Sequence, residues 1–133
     1  MELNYTHWED YYRETFLPTY NEFVKKDIEN IDSYEFIKLY INLFEVSTSL
    51  MKYYLANYGR FTFDSIASIK EFYRHDLLED AQEWIDLAFY IKKKFKNLPK
   101  DYYDNILRFY KQNGLDMFEN LVTVFEGFLN ENE

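Results

Sequence analysis

The chain has 133 residues, enough for one domain with a substantial hydrophobic core, and carries a net charge of −9. That acidity argues against general binding to nucleic acids or anionic membranes, because phosphate contacts need clustered Lys and Arg. Cysteine is absent, which excludes disulfides and thiolate chemistry and makes the reducing cytoplasm the expected location.

The scarcity of glycine and proline bears on the fold class. The chain has three glycines and two prolines, too few for the turns of a sheet protein, so a mostly helical fold is predicted. We expect a single all-α domain over residues 1–133, an antiparallel up-and-down bundle of four to six helices. No stretch is long and apolar enough to span a membrane, and the N-terminus lacks the basic and apolar regions of an export signal, so neither membrane insertion nor export is expected.

The first predicted helix runs from Tyr5 to about Ile28, with aromatic residues at mainly helical spacing. Pro18 interrupts this segment. Proline inside a helix removes one hydrogen bond and clashes with the preceding turn, so we expect a kink or break near Phe16 and Leu17.

The central helix is predicted between Asp32 and Gly59. Asp32 is a good N-cap with Glu35 three residues later, and Gly59 can adopt the left-handed conformation that ends a helix. The apolar stripe that defines this helix comprises Phe36, Ile37, Tyr40, Leu43, Phe44, Leu50, Met51, Tyr54 and Leu55.

One extended stretch and four helices are predicted after Gly59. Residues 60–63 are predicted to be extended, and Asp64 or Ser65 should cap a short helix bearing Ile66, Ile69, Phe72 and Tyr73. Helices are then expected from about Leu78 to Phe95, from Asp101 to Asn113, and from Asp116 onward after an interruption at Gly114. In the first of these, the residues available for the core are Ala81, Trp84, Ile85, Ala88, Phe89, Ile91 and Phe95. Across the whole chain, the strongest predictions of burial are Phe44, Leu50, Leu55, Trp84 and Phe125.

Three ordered stretches carry a family resemblance. The first is Phe44-Glu45 in the central helix, followed by Leu50, Lys52, Tyr54, Leu55 and Gly59. The second comprises Ser65, Ile69 and Lys70, then the acidic run from Leu77 through Trp84 to Asp86, and the third is Tyr103-Asp104 with the helix through Tyr110. From about residue 36 to residue 133, the chain resembles the HEPN superfamily, and within it the nucleotidyltransferase substrate-binding proteins. The resemblance implies a four- to five-helix bundle that commonly dimerises and works with a minimal nucleotidyltransferase, often as a toxin–antitoxin pair.

The chain departs from this family at its ribonuclease motif, which is Arg, four residues, His, and a Tyr two places on. An ungapped alignment from Trp84 puts Ile91 and Lys96 at the Arg and His positions. A five-residue insertion instead aligns Lys96 with the Arg, Asp101 with the His and Tyr103 with the Tyr. Neither alignment restores the pair, and RNA cleavage needs a group that exchanges a proton near neutral pH. We therefore predict a degenerate member without catalytic residues or cofactor.

Three other groups of residues were considered as sites. His7 and His75 lie in other segments without a matching Arg. A lysine cluster, Lys92, Lys93, Lys94, Lys96 and Lys100, could contact phosphate or RNA, or could simply complement the dipole of a helix C-terminus. Glu79, Glu83 and Asp86 share a helix face that could hold a cation, but no His or Cys joins them, and a solvated acidic face explains them better, so no metal site is expected.

The favoured function is a non-catalytic interaction module that binds a nucleotidyltransferase or another protein through an aromatic face. Two alternatives stay open: a HEPN-type ribonuclease toxin in which Lys96, Asp101 and Tyr103 replace the usual groups or Tyr103 accepts a nucleotide, and an acidic phage inhibitor that mimics nucleic acid. Aromatic residues make up 22% of the chain, more ring surface than one small core absorbs. A homodimer is therefore expected, formed through outward-turned rings such as Tyr12, Tyr34 and Tyr53.

Overall fold

The computed structural model describes residues 7–26, 30, 32–92 and 100–131, and every regular element within those ranges is helical. The predicted all-α class is confirmed. Helix α1 is continuous and consists of Trp8–Tyr11, a π-helical turn Tyr12–Phe16, and Leu17–Val24. The other helices are α2 (Ser33–Asn57), α3 (Ser65–Arg74), α4 (Ala81–Lys92), α5 (Lys100–Asn113) and α6 (Asp116–Glu131).

Contacts between aromatic rings fix the directions of the first two helices. Trp8, at the start of α1, lies 5.5 Å from Tyr54, near the end of α2. Phe23, near the end of α1, lies 5.5 Å from Phe36, near the start of α2. The two helices are therefore antiparallel neighbours, as expected for a bundle.

The remaining long helices complete one hydrophobic core. Trp84 of α4 lies between Phe44 of α2, at 6.1 Å, and Phe118 of α6, at 5.1 Å between ring centroids. The five residues most strongly predicted to be buried are all at most 3% exposed: Phe44, Leu50, Leu55, Trp84 and Phe125. Among the described helices, none is both long enough and apolar enough to cross a membrane.

Both ends of α2 form as predicted. At the start, one carboxylate oxygen of Asp32 accepts hydrogen bonds from the backbone N–H groups of Tyr34 and Glu35, at 3.1 and 3.3 Å. At the end, Gly59 has φ of +77°, a conformation that glycine adopts without steric cost. Asp32 and Gly59 therefore mark the two ends of the central helix.

Helix α1 is continuous through Pro18, so of the two distortions expected near Phe16 and Leu17, a kink or a break, the break does not occur. The distortion is instead a π-helical turn just before the proline, in which the Leu17 N–H bonds the Tyr12 carbonyl five residues back. Trp8, Tyr12, Phe16 and Tyr20 are spaced by four, and a plain α-helix would drift by about 40° at each such step. The wider turn reduces that drift and keeps the rings on one side of the helix.

Tyr12 is consequently a core residue, and its expected place on an outward surface is wrong. Its ring is fully buried, stacked 5.6 Å from both Phe16 and Phe125. Its hydroxyl donates a 2.6 Å hydrogen bond to a carboxylate oxygen of Glu126. Burial, followed by this bond, raises the pKa of Tyr12, so the hydroxyl remains a donor. A second chain could not reach this ring without unfolding α1 from α6.

Phe89 is a second correction, because it was expected in the core and is 56% exposed. The buried residues of α4 are Trp84, Leu87, Ala88 and Ile91, which form one stripe at helical spacing. Phe89 lies about 100° around the helix from Ala88 and falls beside that stripe.

Candidate interaction site

The connection from α2 to α3 begins with a well-formed helix C-cap. The N–H of Arg60 bonds the carbonyl of Leu55 at 2.9 Å, and the N–H of Gly59 bonds the carbonyl of Ala56 at 3.0 Å. With Gly59 in the left-handed conformation, this pair of bonds is a Schellman motif. The direction in which the chain leaves α2 is therefore fixed by the backbone.

Residues 60–63, predicted to be extended, are non-helical with a bend at residue 63, and alternate residues of this stretch are tied to α3. The three ties join the Arg60 guanidinium to Glu71 (3.2 Å), the Thr62 hydroxyl to the Ser68 hydroxyl (2.6 Å), and an Asp64 carboxylate oxygen to the Ala67 N–H (2.8 Å). The residues between the tied positions have apolar side chains, which cannot make such bonds.

Those intervening residues are Phe61 and Phe63, which are 82% and 98% exposed. Tyr58, at the end of α2, is 62% exposed. We call Tyr58, Phe61 and Phe63 the aromatic turn. The other exposed large hydrophobic residues of the described chain are scattered and less exposed than the two phenylalanines: Val24, Tyr34, Tyr73 and Phe89. Single exposed apolar residues are ordinary, but clustered ones on an ordered segment mark an interaction site.

Glu71 is the residue that holds the aromatic turn against α3. Its carboxylate contacts Arg60 at 3.2 Å, Arg74 at 3.1 Å and His75 at 3.1 Å. The hydrogen bond from His75, followed by the charges of Arg74 and His75 and the hydrogen bond from Arg60, holds the pKa of Glu71 below its ordinary value. His75, which lacks the arginine spacing of the ribonuclease motif, thus shares one carboxylate with two arginines.

A cavity lies beside this cluster, at the junction of α2, the aromatic turn and the corner after α3. It has a volume of about 500 Å³, within the usual range for small-molecule sites. The residues that line it are Tyr54, Leu55, Tyr58, Arg60, His75 and Leu77. Basic, hydroxyl and apolar groups therefore meet in one concave surface.

Of the residues aligned with the ribonuclease motif, the structure describes the side chain of Ile91 alone. Ile91, at the Arg position of the ungapped alignment, is only 6% exposed and belongs to the core. Asp101 and Tyr103 lie in α5, but their side chains fall outside the described part, and Lys96 lies outside the described residues. A buried isoleucine cannot replace an arginine in phosphate chemistry.

The lysine cluster falls largely beyond what the structure describes. Lys92 ends α4 and Lys100 begins α5, with side chains outside the described part, and Lys93, Lys94 and Lys96 lie outside the described residues. The phosphate-contact hypothesis for these lysines stays a prediction.

The three acidic residues at and before the start of α4 have different environments. Glu79 is exposed, Asp86 accepts a 2.7 Å hydrogen bond from the Gln82 amide, and Glu83 is half-buried. Desolvation, followed by the charges of Asp80, Asp116 and Glu79, raises the pKa of Glu83. Within the described ranges, no three His, Cys, Asp or Glu side chains lie close enough together to hold a metal ion.

The other two tyrosines of the expected dimer surface differ in exposure. Tyr34 is 58% exposed, with the Lys38 ammonium 5.8 Å from its ring centroid. Tyr53 is half-buried, with its ring 4.8 Å from that of Tyr11. Tyr34 is therefore more exposed to solvent than Tyr53, and a role for either in a dimer stays a prediction.

Comparison of the chain with protein-family models, with curated proteins and with solved structures found no match in any of the three. The site is therefore described on its own geometry. The one sequence signal that could have indicated it is Phe-x-Phe in a non-helical stretch directly after a helix-ending glycine, since such phenylalanines have no helical face on which to be buried.

Proposed function

We propose that this protein is a non-catalytic helical interaction module whose aromatic turn inserts into a partner protein. The observation that carries the proposal is the near-complete exposure of Phe61 and Phe63 on a segment tied to α3. Full burial of one phenylalanine side chain contributes about 1.5 to 3 kcal/mol. Because the turn is already ordered, little of that energy is offset by the entropy of fixing it.

The resemblance to the HEPN nucleotidyltransferase substrate-binding proteins supports a minimal nucleotidyltransferase as the partner, in the setting of a toxin–antitoxin pair. The absence of cysteine supports a cytoplasmic setting for that pair. A partner that receives two adjacent rings would present an apolar cleft, and aromatic anchors in such clefts commonly dominate binding energy.

The test compares the wild type with the double variant Phe61→Ser/Phe63→Ser and with the control Phe89→Ser. Phe89 is a matched control because it is also a well-exposed phenylalanine, but it lies on α4. Each form is used for affinity capture from the native host with mass spectrometry, and the binding of the captured protein is then titrated. We expect the control to bind as the wild type does and the double variant to lose at least about 30-fold in affinity, or roughly 2 kcal/mol.

Recovery of the same protein with equal affinity by all three forms would reject the aromatic turn as the docking site. Capture of a nucleotidyltransferase would identify the partner implied by the family resemblance. Capture of a nucleic-acid-binding protein, with affinity unaffected by the two serines, would instead favour the acidic inhibitor.

We also propose that the protein forms a homodimer, using rings near the start of α2 such as Tyr34. Tyr34 and Tyr58 are separated by about 36 Å along α2, so self-association and partner binding would use opposite ends of that helix. Sedimentation across a dilution series tests the dimer, with Tyr34→Ser expected to weaken it. A single species of 16.5 kDa at every concentration would rule the dimer out.

The non-catalytic part of the proposal is supported by the burial of Ile91, which stands at the family's arginine position in the ungapped alignment. We expect no cleavage of RNA by the purified protein. Cleavage that is abolished by Asp101→Ala, Tyr103→Phe or His75→Ala would show that the activity belongs to this chain and would overturn the proposal.

A further inference from the structure

The cavity behind the aromatic turn shares Tyr58 with that turn, but its other lining residues are not used by the proposed docking function. Phe61 and Phe63 are not among the lining residues, whereas Arg60 and His75 are. A ligand there would contact side chains from the end of α2 and from the corner that follows α3. The inference below does not depend on whether the aromatic turn binds a protein.

Arg60 supplies the first recognition element. Its contact with Glu71 uses the Nη1 atom, and its Nε and Nη2 atoms make no hydrogen bond within the described residues. A guanidinium carries five N–H donors in a planar fork, which suits the paired oxygens of a carboxylate or phosphate. Glu71 thus positions the fork while leaving most of its donors available.

His75 supplies a second donor at the same surface. Its Nε2 atom lies 3.1 Å from a Glu71 oxygen, and because a carboxylate can only accept, Nε2 carries the proton. The other ring nitrogen, Nδ1, makes no hydrogen bond within the described residues. A protonated His75 would therefore present Nδ1–H to a bound anion.

The local charge favours an anion in spite of the net charge of −9 on the chain. Around Glu71, two arginines outnumber the single carboxylate, so this cluster is net positive, while the carboxylate of Glu131 acts on Tyr54 at the opposite wall. A small basic cluster on an acidic protein selects small anions, because long anionic polymers are repelled by the rest of the surface.

The opposite wall of the cavity is partly apolar and aromatic. The rings of Tyr54 and Tyr58 lie 5.0 Å apart and are tilted by 51° to each other, with Leu55 and Leu77 beside them. Burial, followed by the neighbouring Tyr58 hydroxyl, raises the pKa of Tyr54, so this hydroxyl remains protonated. A planar group could pack against one of these rings while its charged end reaches Arg60.

We propose that this cavity binds a small organic oxyanion, a carboxylate or phosphate ester on a flat apolar body, with the anion on Arg60 and His75 and the body against Tyr54 and Tyr58. The anion alone or the flat body alone should bind more weakly than the whole ligand, because each contacts only one wall of the cavity.

Phenyl phosphate is the probe for the test, with phenol and inorganic phosphate as its two halves, and phenylacetate distinguishes a carboxylate from a phosphate source. Each is titrated into the full chain, and NMR shifts of the His75 ring and the Tyr54 and Tyr58 side chains are followed. We expect saturable shifts with at least one of the two aromatic anions, at an affinity about tenfold or more above that of phenol or phosphate alone.

Arg74→Gln is a matched control for Arg60→Gln, because both arginines contact Glu71 but only Arg60 lines the cavity. We expect Arg60→Gln to weaken binding about tenfold and Arg74→Gln less than about threefold. Arg60→Lys keeps the positive charge but lacks the planar fork of donors, so it should also weaken binding. This second variant tests the fork even if Arg60→Gln fails to fold. Equal losses in the two glutamine variants, equal binding of phenol and phenyl phosphate, or no saturable shift of His75 with either aromatic anion would overturn the proposal.

Discussion

Two aromatic regions of this protein lie next to each other and have opposite environments. The first, which we call the ring cluster, consists of Trp8, Tyr54, Phe125 and Phe128, whose ring centroids lie 4.5 to 5.9 Å apart. The second is the aromatic turn, whose nearest member, Tyr58, is only 5.0 Å from Tyr54. Both regions consist of aromatic residues, so composition does not explain the difference in burial.

Backbone geometry, rather than composition, separates them. The ring cluster draws its members from α1, α2 and α6, so each ring has neighbours on other helices. The aromatic turn is a single non-helical segment in which Arg60 and Thr62 bond to α3. Phe61 and Phe63 have no comparable burial and are 82% and 98% exposed. Rings in the first region stabilise the fold, and rings in the second remain available for binding.

The largest expected effect is in the ring cluster. Phe125 is fully buried and contacts Trp8, Tyr54, Phe72 and Phe128. Phe125→Ala should lower the free energy of unfolding by about 3 to 5 kcal/mol, because it removes buried apolar surface and leaves a cavity. Urea unfolding followed by circular dichroism measures the change, and a loss below about 1 kcal/mol would show that the cluster does not carry the stability assigned to it.

A smaller effect is expected from the hydroxyl of Tyr12, which joins the ring cluster through Phe125. Tyr12→Phe keeps the stacked ring and removes the 2.6 Å hydrogen bond to Glu126. Because Glu126 is exposed and water can replace the donor, the cost should be about 1 kcal/mol. Glu126→Gln keeps an acceptor and is the control, expected to lose less in the same unfolding measurement.

Acid should loosen the aromatic turn without unfolding the ring cluster. The pKa of Glu71 is lowered in the folded protein, so its contribution is fully present above the ordinary glutamate pKa and is lost as pH falls through the lower folded value. The protection of the Arg60 amide, which bonds the Leu55 carbonyl, should therefore fall in that acidic range after correction for the slower intrinsic exchange in acid, while protection in α2 stays high. Glu71→Gln should show the lowered protection already at neutral pH. A pH-independent turn would contradict the anchoring role of Glu71.

The smallest effect is expected at Phe63, the counterpart of Phe125 in the comparison. Phe63 is 98% exposed, so Phe63→Ala should change the free energy of unfolding by less than about 0.5 kcal/mol. The same urea experiment serves both variants. A large loss at Phe63 would mean that its ring is covered in solution and would remove the basis of the docking proposal.

Local signals in the sequence were sufficient for the helices and for most of the core. Asp32, Gly59 and Gly114 mark helix ends by their own conformational preferences, and the buried residues Phe36, Tyr40 and Leu43 follow steps of four and three along one helix face. Such features involve residues within one or two turns of each other, so a single sequence shows them directly.

The errors came from features that depend on distant residues or on small changes of phase. Tyr12 is buried because α6 supplies Phe125 and Glu126, more than one hundred positions away. Phe89 is adjacent to Ala88, which belongs to the buried stripe of α4. Helical spacing alone does not show which of two neighbours at the edge of a stripe is buried. The cluster of Arg60, Glu71 and His75 forms only because the turn folds back onto α3.

The π-helical turn in α1 can absorb a change of chain length. A π-helical turn holds one residue more than an α-helical turn, so deleting exposed Arg13 would allow Tyr12–Phe16 to become regular α-helix. Because each residue of the wider turn rotates the chain by less than an α-helical residue does, the flanking parts of α1 would keep nearly the same faces, with Trp8 before the deletion and Phe23 after it still towards the core. Related sequences should therefore differ by one residue at this turn more readily than in the α-helical parts of α1, where a deletion would rotate the flanking faces by about 100°.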